Sequence, residues 1–322
     1  MNVSIQPNQK PAVAPPDDGD IAQQIFDTMI QAHGVKPGHR PVHAKGIVCR
    51  GTFVPTGKAA ALSKAAHFQG VPAPLTVRFS DGAPDPAVPE NSYDASPRGI
   101  AVRFHLPGGG LTDIVALSHN GFAVATGEEF LALQKAIVAT DPGQPHPWPI
   151  EAFLGTHPAA LKFVMESRVI PASLAHEAFF SNNSFVLVNS AGARQAVRYQ
   201  ILPVAGRRDL TEAELKAKSA SFLIEDLQTR LAAGPVQYRL VIQLPNPGDP
   251  TNDSTLVWPD DRRTIDAGTI SITAVVADSA GVEKELIFDP THLTDGIELS
   301  DDPLPALRAR VYSLSVTRRW KK

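Results

Sequence analysis

Pro97-Arg98-Gly99-Ile100-Ala101-Val102-Arg103-Phe104 contains a short strand, Gly99 to Phe104, partly alternating in polarity and bounded by turn-forming residues. Ile47 to Phe53, Leu75 to Phe79 and Asp113 to Leu117 have the same form, each set off by Gly, Pro or Asp clusters. Ser184 to Val188 and Ala196 to Leu202 flank Ser190-Ala-Gly192, which reads as the turn of a hairpin-like unit. Val236 to Leu244 and Gly268 to Val276 are strands again. Helical patterns lie between them. The first is Asp20 to Ala32, with Asp20 as cap and Ile21, Ile25, Met29 and Ile30 as an apolar face. Others run from about Gly127 to Ala139, over Ile150–Leu154 and Ala159–Glu166, and from Glu212 to Ala233, broken once and stopped by Gly234-Pro235. Many non-local strands with helices inserted predict an antiparallel barrel or sandwich with helical additions, not regular βαβ alternation.

Composition narrows the function classes. A net charge of −3 gives no bulk electrostatic case for nucleic acid or an anionic membrane surface. No apolar run approaches the roughly 20 residues needed to span a bilayer. A single cysteine, Cys49, rules out intrachain disulfides and thiolate metal clusters. Residues 1–18 are polar and Pro-rich and read as a loose arm. They contain no apolar leader, so a cytoplasmic protein is the default expectation. HExxH, paired CxxC and GxSxG motifs are missing, and Gly108-Gly-Gly110 is a loop without the residues of a phosphate cradle.

Three groups of residues carry possible chemistry. Arg308-Ala-Arg-Val-Tyr312 puts an arginine one helical turn ahead of a tyrosine. A tyrosine phenol ordinarily titrates near 10 (roughly), and a guanidinium at i−4 favours the phenolate that a ferric ion would bind. Upstream, Arg40-Pro-Val-His43-Ala-Lys-Gly46 reads as a strand with His43 near its start. An imidazole there suits acid–base work on a peroxide, or it is a satisfied core or surface histidine. Arg40, Arg78 and Arg319 near element ends suit carboxylate recognition, or are surface ion pairs. Asn120, within Leu117-Ser-His119-Asn120-Gly-Phe122, offers a neutral amide or is an ordinary turn asparagine.

Taken in order, these segments resemble the haem catalase superfamily. Arg40 to Gly46 looks like its distal-histidine strand, Val77-Arg78-Phe79-Ser80 its RFS strand, and Pro97 to Phe104 its PRGFAVKF strand. Asn183 to Asn189 is similar to the segment after its distal helices. Gly296-Ile-Glu-Leu-Ser300 with Asp302, Arg308 to Tyr312 and Arg319 follow its proximal signature. The resemblance spans roughly residues 36–319. It implies an α+β fold: an antiparallel eight-stranded β-barrel with helical insertions, forming one haem-binding domain over residues 19–322. It also implies haem b, with Tyr312 as iron ligand, Arg308 as its partner, and Arg40, Arg78 and Arg319 on the propionates. His43 would be the distal acid–base residue, Ser80 its orienter and Asn120 the distal amide, with His119 as a rival.

Departures from the pattern refine the expected activity. The chain ends ten residues after Tyr312 and has a short N-terminus, unlike full-length catalases, so it resembles the small catalase-related peroxidases. Ala123-Val-Ala-Thr126 stands where an aromatic pair follows the distal asparagine, which predicts a wider distal side. The expectation is a haem peroxidase that reduces hydrogen peroxide or organic hydroperoxides with oxidation of a small organic donor, with weak catalase activity. A small catalase, a haem hydroperoxide isomerase of the allene-oxide-forming type and a haem-binding barrel without catalysis are its rivals. Monomer or homodimer is expected.

Overall fold

The computed structural model describes residues 20–320; the arm assigned to residues 1–18 lies outside them. Helix α1 (Ile21–His33) starts where Asp20 Oδ1 accepts Ala22 N at 2.9 Å. Strands β1 (Gly46–Pro55), β2 (Ala73–Ser80), β3 (Gly99–His105) and β4 (Leu111–Leu117) follow. Then come α2 (Gly127–Ala139), α3 (Pro149–Thr156) and α4 (Pro158–Glu166). Strands β5 (Phe179–Phe180), β6 (Phe185–Val188) and β7 (Arg194–Pro203) precede α5 (Glu212–Lys216) and α6 (Phe222–Ala233). The chain closes with β8 (Val236–Gln243), β9 (Thr264–Val275), α7 (Ser279–Glu285), β10 (Ile297–Leu299) and α8 (Leu304–Trp320).

Antiparallel pairing runs β7-β5-β4-β3-β2-β1-β9-β8, and β8 pairs back onto β7, so eight strands form a closed barrel. Closure removes the exposed edges an open sheet of this size would present. Strands β6 and β10 extend from β7 as an outlying flap. The expected eight-stranded antiparallel barrel with helical insertions is therefore found.

Period-two side-chain alternation explains what fills the barrel. Ile47, Cys49 and Phe53 of β1, Val77 and Phe79 of β2, and Ile100, Val102 and Phe104 of β3 belong to one buried cluster with Phe179, Ile201, Tyr238 and Ile270. The alternate residues of β3, and of β2 from Thr76 onwards, do not face water either, whereas on β1 Arg50 and Val54 do. Val48 and Ala101 are buried with Val276, Leu286 and Phe288 in a second cluster on the other face of the wall. Strand β3 is accordingly buried from Gly99 to Phe104, which is why its alternation in the sequence is only partial. Arg103 on that outer face forks onto Asp113 of β4 at 2.8 and 2.7 Å and stacks over Phe288 at 5.1 Å. Arg98, fully buried just before β3, is structural: it donates to Ser96 Oγ, Val169 O and Glu90 O at 3.1, 3.1 and 2.8 Å.

The reading of residues 40–46 as a strand is corrected. Strand β1 begins at Gly46, and His43 precedes it in a left-handed conformation, φ 54°. Cross-strand bonds continue at Ala44 N to Ala83 O (3.0 Å) and Asp81 N to Lys45 O (3.1 Å), so the ladder persists while the chain turns. Such a residue costs about 1–3 kcal/mol and persists because its surroundings hold it. Here His43 N donates to Gly82 O at 3.3 Å and Arg78 Nη2 donates to His43 O at 2.7 Å. Outside the helix–strand assignments made from sequence lay α7, β5 and β10, all too short to show a period. No helix of the described residues is long and apolar enough to cross a membrane.

Inside the barrel, His67 is 1% exposed and sits among Phe53, Phe68 and Phe104, with ring centroids 6.3, 4.0 and 4.6 Å away. Burial pushes its pKa down to about 3. The unfolded chain takes up this proton near pH 6.5 (roughly the free value), but the folded protein does not until about pH 3, so stability falls as pH drops through that window. The expected loss from His67 alone is about 2 kcal/mol by pH 5. His67→Leu should reduce the difference between denaturant midpoints measured at pH 7 and pH 5.

Candidate active site

The outer face of β2–β4, the chain around His43 and one face of α8 enclose a cavity with about 800 Å³ of open space, mouth included. Its walls are apolar, formed by Met29, Ala101, Val115, Leu117, Phe288 and Val311. Polar side chains enter as three groups.

Helix α8 has two working faces. Leu307, Val311 and Leu314 pack on Ile25, Phe26 and Met29 of α1. Arg308, Tyr312, Ser315 and Arg319, at spacings of four, three and four, line the cavity. Arg308 donates to Tyr312 Oη from Nε (3.1 Å) and Nη2 (2.9 Å), so two positively charged N–H groups converge on the phenol oxygen. Nη1 donates to Asn183 Oδ1 at 2.5 Å. Asn183 Nδ2 in turn donates to Asp302 Oδ2 at 2.9 Å, while Asp302 Oδ1 accepts Leu304 N at the start of α8. One carboxylate thus begins the helix and orients the amide that orients the guanidinium. Asn183 and Asp302 were quoted as parts of motifs, but spacing gave neither its role, because the contact spans 119 residues.

The second group is His43 and Ser80. Ser80 Oγ lies 3.2 Å from His43 Nδ1. Burial, and next the Arg78 charge, push the imidazole down to about 3. At neutral pH the ring is uncharged and retains a proton-accepting nitrogen. Gly99 of β3 makes room for it: a Cβ there would stand 2.9 Å from Ser80 Oγ and 3.3 Å from His43 Cε1.

Arginines form the third group. Arg40 donates to Glu283 Oε1 at 3.2 Å and to Leu286 O at 2.8 Å. Arg78 donates to the same Glu283 oxygen through Nε at 2.9 Å and through Nη2. Arg319 donates to Lys284 O, Leu286 O and Ser315 Oγ at 3.1, 3.0 and 2.8 Å. Burial, then the charges of Arg78 and Arg319, hold the Arg40 guanidinium well below its usual range; burial, then Arg78, brings Arg319 to about 10. Three guanidiniums at one end of an apolar slot make a seat for a flat ligand bearing carboxylates. The residues present fit haem.

Of the residues singled out from sequence, His43, Ser80, Arg40, Arg78, Arg308, Tyr312 and Arg319 line this one cavity. Asn120 and its rival His119 are not among its lining residues. Their turn is pinned elsewhere: Gly121 exchanges bonds of 3.0 and 2.9 Å with the Asn182 amide, and Phe122 N donates to Ser254 O at 2.9 Å. His119 packs edge-on against Phe163 at 5.2 Å. Glu283 carries no motif and was not anticipated.

Comparison with known proteins agrees with this geometry. The family model described as Catalase matches residues 22–321. The chain is 36% identical over 306 residues to a catalase-related peroxidase of Mycolicibacterium paratuberculosis, covering 94% of this chain and 95% of that protein. It is 33% identical over 307 residues to a catalase-related peroxidase of Synechococcus elongatus, covering 94% and 90%. A fungal catalase crystal structure superposes with a TM-score of 0.79 at 20% identity, covering all of this chain and 67% of that one.

Gly99→Ala should push the added methyl into the His43–Ser80 pair. Overpacking of this kind costs about 1–3 kcal/mol, and a urea melt beside wild type measures it.

Proposed function

The chain belongs to the catalase family, and we propose that it is a haem b peroxidase that reduces hydrogen peroxide or an organic hydroperoxide while oxidising a small organic donor. The observation that supports this best is the convergence of two Arg308 N–H groups on the Tyr312 oxygen in a cavity that a neutral His43 also lines. When bound, haem supplies a Lewis-acidic, redox-active iron for O–O cleavage. The chain's residues do the rest.

Tyr312 would hold that iron, with the Arg308 fork, itself held by Asn183, directed at its oxygen. Arg40, Arg78 and Arg319 would take the haem carboxylates. His43 accepts the proton from one peroxide oxygen and returns it to the other, so that oxygen departs as water or alcohol. Being uncharged at neutral pH, the ring is ready for the first of these transfers. With Ser80 Oγ accepting from Nδ1–H, Nε2 would be the bare nitrogen that takes the peroxide proton.

Absorption spectra of the purified protein and two variants test the assignment. Tyr312→Phe should lose the ferric tyrosinate-type spectrum. His43→Ala should retain haem and lose donor oxidation by about 10²–10⁴-fold in kcat/KM. Oxygen release that proceeds at full rate without any donor would instead mark the chain as a small catalase.

A further inference from the structure

Glu283 stands behind the cavity lining, paired with two of the arginines that line it, although spacing never pointed to it. Its side chain is 13% exposed and shares one oxygen between Arg40 and Arg78. Helix α7, which carries it, is fastened at its start: Asp278 Oδ1 accepts Gly281 N at 3.0 Å, and Ser279 Oγ accepts Val48 N of β1 at 2.8 Å. The end of that segment presents carbonyl oxygens to the same cluster. Lys284 O receives Arg319, and Leu286 O receives both Arg319 and Arg40. One fixed segment therefore supplies a carboxylate and two carbonyls to all three arginines.

These acceptors compete with any ligand for the same N–H groups. A bidentate carboxylate needs two donors of one guanidinium, and Arg78 already commits Nε and Nη2 to Glu283. The carboxylate also repels an arriving dianion. Without it, however, three buried guanidiniums would lack a counter-charge whenever haem is absent, and an uncompensated buried charge is strongly destabilising.

We propose that Glu283 is a resident counter-charge in the propionate seat: it shields the arginines before loading and lowers haem affinity by competing for Arg78 and Arg40. The inference rests on the haem reading above. It makes cofactor affinity a balance set by this chain and not the maximum that three arginines could give.

Haem titrated into cofactor-stripped protein, followed by visible absorption, tests it, with haem dimethyl ester as the uncharged comparison. Glu283→Gln should bind haem about tenfold more tightly, equivalent to roughly 1.4 kcal/mol, and bind the ester as wild type does. The stripped variant should also melt at a lower temperature than stripped wild type. Equal or weaker haem binding by the variant overturns the proposal, as does equal tightening towards the ester. If Glu283→Gln folds only with haem, its rate of haem loss replaces the titration: slower loss than wild type supports the proposal, equal or faster loss overturns it. A wild-type chain that takes up no haem would sink the haem reading, and this inference with it.

Discussion

A barrel wall buried on both faces along β2 and β3 governs the placing of this cavity. An isolated eight-stranded barrel needs apolar residues only inside, with polar ones alternating towards water. Here Phe79 and Ile100 fill the interior, while Arg78, Ser80 and Ala101 point outwards into a second enclosed space. That outer face has to be covered, and α8, the segment around Phe288 and the turn at His43 cover it. The functional cavity is the gap left between a rigid sheet and its covering. Its chemistry is placed by the outward parity of β2 and β3, and β2 supplies both Arg78 and Ser80.

Helix α8 makes the covering specific. Its α1-facing stripe and its cavity-facing stripe are offset by about one residue, so packing on α1 fixes the rotation that aims Tyr312. Asp302 fixes the start of the helix and, through Asn183, the Arg308 fork. The phenol oxygen is therefore set by a helix and two relayed hydrogen bonds, not by a loop. Preorganisation of this kind is what a ligand atom requires.

Most of this was legible in the sequence, for definable reasons. Strands and helices several residues long show a period, and the Arg308–Tyr312 spacing survives folding because a helix preserves i, i+4 contacts. His43 was found but its backbone was misread, since alternation cannot show a single left-handed residue. Asn120 is not among the cavity's lining residues, and the Asn182 amide that bonds its neighbour Gly121 lies 61 residues away, out of reach of any spacing rule. Glu283 could not be seen at all. It reaches Arg40 across 243 residues from a seven-residue helix with no periodic signature.

Arg78 has a wider consequence. The guanidinium that takes part in the anion seat also grips the carbonyl of the one described non-glycine residue at positive φ. Lysine could not replace it, because a single ammonium lacks the rigid fork that reaches in two directions at once. One planar group rooted in the sheet therefore holds both Glu283 of the arginine cluster and the backbone of His43. Loss of the Arg78 guanidinium would release the turn before β1 and the Glu283 carboxylate together.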